Sequence, residues 1–200
     1  MRHAERSRGA SGSGHPRSAA GLTAPVTVTA WRLPPLTVVL VAVVLIVCAE
    51  AGGASMVRFK VELTRWARGV MLAHPEVHGL VGVRDVDERI LDEALVKFDA
   101  GLRLFHLHAE GMGLVILATT AVAATLARGR RVRGVMIVLL TAGGAGYPLG
   151  YLLWSWLIPY HGIERGKSIA EWFVWMPFGG ATLVALWWLA GLVVLRLARR

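Results

Sequence analysis

Apolar residues fall along this chain in four long blocks, and the polar positions between them are unevenly charged. Three runs of roughly 24 residues, 104–127, 135–158 and 172–195, are each long enough to cross a hydrocarbon core about 30 Å thick. A fourth, about 35–57, is apolar except at Glu50. Lipid offers no water to backbone groups, so each run is expected to be α-helical. The pattern predicts an all-α integral membrane protein with four transmembrane helices in a bundle. The four-helix membrane domain covers residues 35–200, an outward loop and helix fill 58–103, and residues 1–34 form a disordered basic cytoplasmic tail.

Before the second block the period is already helical. Asp85 followed by Glu88 has the spacing of an N-cap with a reciprocating acid, and no proline intervenes before Pro148. A helix therefore starts near Val86 and continues into the second span. Leu91, Leu95, Phe98, Leu102 and Phe105 make its apolar stripe. Asp92, Asp99, Arg103, His106 and Glu110 make a second stripe about 90° round. Asp99 and Arg103, four apart with the acid first, form a structural polar pair.

In the third block Tyr147, Tyr151, Trp154 and Ile158 share a face leading toward His161, while Gly143, Gly146 and Gly150 offer a close-packing surface. Pro148 is positioned to kink this helix. Ser168 and Glu171 have capping-box spacing at the head of the fourth block, and Pro177, Gly179 and Gly180 are expected to break it.

Composition supports the membrane reading. The 200 residues are 55% hydrophobic and only 18% charged, too few charges to cover a soluble domain of this size. The formal charge of +9 is a matter of placement. Arg2, Arg6, Arg8, Arg17 and Arg32 precede the first block, Arg128, Arg130, Arg131 and Arg133 fill the RGRRVRG link, and Arg196, Arg199 and Arg200 follow the last. Those twelve of 22 basic residues are accompanied by one acid, Glu5, of 13. The positive-inside rule then puts both termini and the link in the cytoplasm of a bacterial-type inner membrane. Nucleic-acid binding is disfavoured, since these arginines are short flanks of spans, although some attraction to anionic lipid is expected. A second reading of the first block is a cleaved signal peptide. Ala49-Glu50-Ala51 resembles a peptidase site, and cleavage would leave three spans.

The chemistry on offer is limited. Cys48 is the only cysteine, which excludes an intramolecular disulfide, a CxxC redox pair and a thiolate zinc cluster. No Gly-rich phosphate loop, GxSxG elbow or HExxH is present. The stretch FHLHAEGMG, 105–113, concentrates what remains. Helical phase puts His106 beside Glu110 and turns His108 about 160° away, toward Met112, so the two histidines cannot chelate one metal. Gly113, Thr120, Ala121 and Ala124 continue the His106 face, which should meet a neighbouring helix.

The expected site is therefore His106, Glu110 and His161, meeting at the outer end of the bundle and binding copper, zinc or haem b iron. The plainer account of these residues is hydrogen bonding in the headgroup zone. Secondary candidates are His108 with Met112, the HxxxH pair His74 and His78 in the outward loop, and Glu50, which lines an ion route, pairs with Arg103 or marks the interface. His74 and His78 read more simply as solvated loop residues. Trp31, Trp154, Trp156, Trp172 and Trp175 read as interfacial belt anchors. Two functions follow: a metal or haem carrier in respiratory electron transfer or metal handling, or an accessory or assembly subunit of a larger membrane complex with no prosthetic group. A homo-oligomer is compatible with either, and a His106/Glu110 acid–base enzyme is less favoured because no nucleophile is visible.

Overall fold

The computed structural model describes residues 31–199, and within them the protein is helical with no strands. Most of the expected tail lies outside the described residues. Helix α1 is Leu36–Arg58, α2 Lys60–Ala73, α3 Pro75–His78, α4 Arg84–Leu126, α5 Arg130–His161, α6 Ile163–Ala170 and α7 Gly180–Leu197. A π-helical segment, Glu171–Gly179, joins α6 to α7. Among the described residues, four helices are long and apolar enough to cross a membrane: Leu36–Arg58, Arg84–Leu126, Arg130–His161 and the composite Ile163–Leu197. The chain is a multi-pass membrane protein.

The 43 residues of α4 make a rod of about 65 Å at 1.5 Å per residue, twice the hydrocarbon thickness. Its first turns, from Arg84, precede the apolar section that begins near residue 104. Their cap differs from the expected one: Val83, not Asp85, occupies the N-cap position, and no side chain caps it. Asp87 instead reaches back, its carboxylate accepting from the Val81 and Gly82 N–H groups at 2.8 and 2.9 Å. Gly82 has φ +79°, so the turn exposes two donors that a carboxylate one turn into the helix can reach.

Residues 58–103 contain more helix than a loop. After a single break at Phe59, α2 continues in the same antiparallel register to α4 that α1 has. Gly113 lies against Ile46, Gly53 against His106, and Arg68 pairs with Glu88 at 2.6 Å. Ala67, Met71, Leu91, Ala94, Phe98 and Ile158 form a core between α2, the projecting part of α4 and the end of α5.

Helices α4 and α5 pack along most of their length, α1 lies on α4, and the α6–α7 unit returns along α5. Ser155 fixes the α4/α5 register by donating from Oγ to the Phe98 carbonyl at 2.6 Å, opposite Gly101. Along the return strand of helix, Gly143, Gly146 and Gly150 receive Thr182, Phe178 and Trp175. Pro148 and Pro159 lie within α5 without ending it; Gly162, at φ +75°, does. Ser168 and Glu171 do not cap a helix start, because the helix already begins at Ile163. Nor does the chain break at Pro177. The helix widens to π geometry there, a form that tolerates the missing proline N–H and keeps the unit continuous.

Candidate functional site

The seam between α1 and α4 carries the ionisable groups. Its close contacts come from small residues: Ala42, Ala49, Gly52 and Gly53 on α1 and Gly113 on α4. His106 projects from α4 into this seam, and its Nδ1 lies 2.8 Å from the Ala49 carbonyl oxygen. A carbonyl only accepts, so Nδ1 carries a proton, and in the neutral ring Nε2 is the acceptor. Gly53 lies against the ring: a Cβ there would stand 2.9 Å from Cε1 and 3.0 Å from Nδ1. The imidazole is held by a hydrogen bond on one edge and by backbone on one side.

Beside it opens a cavity of about 590 Å³, lined by Glu50, Met56, Lys60, Asp99, Arg103 and His106 among others. Arg103 is committed to Asp99 at 2.7 Å, the pair expected from their spacing, so it does not neutralise Glu50 by itself. The antiparallel register puts Glu50 at the level of residue 108, between His106 and Glu110. Its neighbours Ile46 and Gly53 both touch the His106 side of α4, so Glu50 belongs to that side too. Glu110 is half-buried one turn beyond His106.

His161 lies elsewhere. Gly101 abuts Ser155; His106 is five residues from Gly101 toward one end, and His161 six from Ser155 toward the other. At 1.5 Å per residue they are about 16 Å apart along the helix axes. His161 lines a separate cavity of about 480 Å³ with His78, Glu93 and Glu164. The expected meeting of His106, Glu110 and His161 is not formed, because the Gly101/Ser155 register of the antiparallel pair puts His161 level with residue 95, about three turns from His106. Among the described residues no group of three His, Cys, Asp or Glu side chains is placed to hold a metal ion.

The aromatic stripe of α5 meets the other histidine. His108 donates from Nδ1 to the Leu104 carbonyl at 2.9 Å, and its ring centroid is 4.5 Å from that of Tyr151 and 5.7 Å from that of Tyr147. Tyr147 and Tyr151 share a hydroxyl hydrogen bond of 3.0 Å, and Trp175 packs on Tyr151 at 4.9 Å. His106 faces α1 and His108 faces α5, as their 160° separation requires. Met112 follows His108 inward, with its methyl against Gly144. Trp154 and Trp175 belong to this cluster, whereas Trp31, Trp156 and Trp172 are exposed.

His74 and His78 are neither a chelating pair nor free loop residues. His74 Nδ1 donates to Val70 O at 2.9 Å beside Tyr160, and His78 Nε2 donates to Pro159 O at 3.0 Å. The Pro159 carbonyl sits in the last turn of α5, where Gly162 turns the chain away, so His78 satisfies a helix-end acceptor. Sequence reasoning had no means of finding the Ala49 carbonyl or Gly53 as partners of His106. Spacing within one helix does not reveal which backbone group of another will face it. No protein-family model, no curated protein and no solved structure matches this chain.

Proposed function

We propose that this multi-pass protein of a bacterial-type inner membrane holds a divalent transition-metal ion in the α1/α4 seam, on the outward side of the membrane. His106 Nε2 is the lead donor and Glu50 the second, with Glu110 close in register. One observation carries the reading: the His106 Nδ1–H is spent on the Ala49 carbonyl, the second-atom bond that fixes tautomer and ring orientation in metal-binding histidines. With fewer than three preset donors, the shell is open and is completed by water or by a donor from a docked protein. The reading also accounts for the placement of Glu50 in an apolar helix, where a carboxylate is costly unless partnered.

The orientation rests on the arginines, which puts α2, α3 and the head of α4 outside and the arginine-bearing end in the cytoplasm. A single cysteine introduced at Gly129 on a Cys48→Ser background should resist an impermeant thiol reagent applied from outside, and one at Gly82 should react. The reverse pattern would invert the topology.

Metal retention tests the site. Purified full-length protein loaded with Zn²⁺ and desalted should keep roughly one ion per chain. His106→Ala should lose it, and His108→Ala and His161→Ala should keep it. Loss in His161→Ala, or no retained metal in the unaltered protein, would sink the reading.

A second reading is favoured by the separate core formed by α2, the head of α4 and the end of α5. That module exposes a groove of about 530 Å³ lined by Glu62, Arg65, Trp66, His74 and Tyr160, a surface suited to docking in an accessory or assembly subunit. A metal-free protein that still binds a membrane complex through this groove would favour it.

A further inference from the structure

At the end of the helices opposite α2, a cavity of about 600 Å³ is lined by Arg32, Arg128, Arg133 and Arg196, together with Trp31 and Thr125. A second cavity of about 180 Å³ shares Arg128 and Arg196 with it and adds Arg199 and the apolar walls Val132, Leu192 and Leu195. Five guanidinium groups thus surround two adjoining spaces. No acid occurs in the sequence between Glu110 and Glu164 or after Glu171, and among the described residues none of the five is in an ion pair. Helix dipoles do not settle the sign of the field. The N-termini of α1 and α5 and the C-termini of α4 and α7 meet here, so their partial charges of about half a unit nearly cancel. The arginines decide it.

We propose that this end of the molecule binds the phosphate headgroup of an anionic phospholipid. Guanidinium forks match phosphate oxygens in pairs, and a like-charged cluster at a membrane surface is relieved by an anion. The two cavities differ in their walls. The larger offers four arginines and the Thr125 region to a headgroup, while the smaller runs past Leu192 and Leu195, where an acyl chain can leave along α7. A free phosphate has no use for that apolar wall, and Trp31, at the mouth, suits the interface. The site is independent of the metal reading, lying at the other end of the helices.

Native mass spectrometry of the detergent-solubilised full chain tests it. Phosphatidylglycerol should bind and survive at activation energies that strip phosphatidylcholine, and millimolar inorganic phosphate should not displace it. Arg128→Gln with Arg196→Gln should weaken retention about thirty-fold, from roughly 1 kcal/mol per basic residue at an anionic surface. Arg58→Gln, the same charge change at the opposite interface, should leave it unchanged. Equal retention of the two lipids in the unaltered chain would overturn the proposal. So would displacement by phosphate, which would mark a free-anion site, or an equal loss in Arg58→Gln, which would mark bulk charge alone.

Discussion

The two outer seams of the molecule use glycine for opposite ends. Along α5, Gly143, Gly146 and Gly150 admit Thr182, Phe178 and Trp175, and each of these three is filled by the returning helix. Along α1 and α4, Gly53 admits an imidazole that is already hydrogen-bonded to a carbonyl, and the space next to it stays open and lined by charge. The first arrangement gains its stability from dispersion between closely packed surfaces, the main force available between helices in lipid. The second gives up packing to orient a donor atom. Small residues along a helix therefore do not by themselves separate a structural seam from a site; what fills them does.

The contrast is broken most strongly at Gly150. A Leu there has no room, since Trp175 already occupies the place of a Cβ. Gly150→Leu should cost about 1–3 kcal/mol through overpacking. Gly111→Leu, at a glycine with open space around it, should not lower the thermal midpoint in detergent. Equal losses at the two positions would show that the α5 seam is not the packed one.

Gly53→Ala sharpens the comparison from the other side. Its methyl group falls within 3.3 Å of three His106 ring atoms, so the ring must turn off the Ala49 carbonyl. The expected stability loss is small, about 0.6 kcal/mol for an interhelical hydrogen bond in a membrane. Metal affinity should fall more, about tenfold or beyond, as when an outer partner of a ligand is removed. Unchanged affinity would show that Ala49 does not orient the ring. N-terminal sequencing bears on the same contact: a mature chain beginning near Gly52 would lack Ala49 and Glu50 altogether.

Much of this fold was legible in the sequence because lipid leaves a chain few choices. The four apolar blocks, the unbroken run from the mid-80s through the second span and the Asp99–Arg103 pair all follow from period and length. The phase of His106 against His108 was equally readable, and it places them against different helices. What period could not supply is register between helices. The Tyr147–Tyr151–Trp154 stripe pointed toward His161 along its own axis, but which histidine it met depended on which face of α4 turned to α5. The answer was His108. Likewise, Ser168 and Glu171 carry capping spacing, yet Gly162 had already turned the chain and started the helix five residues earlier. Asp87, a carboxylate inside the first turn, takes up the N–H groups of Val81 and Gly82 in the preceding turn, while no side chain caps the helix start itself.

The central claim is that one imidazole, His106, is presented to the α1/α4 cavity, while His108 and His161 belong to other surroundings. Electron paramagnetic resonance of Cu²⁺ bound at one equivalent to the full-length protein reads the number of coordinated nitrogens directly. Coupling to a single imidazole nitrogen, lost in His106→Ala and unaltered in His108→Ala and His161→Ala, is the predicted result. Coupling to two or more imidazoles, with one of them lost in His161→Ala or His108→Ala, would contradict the account.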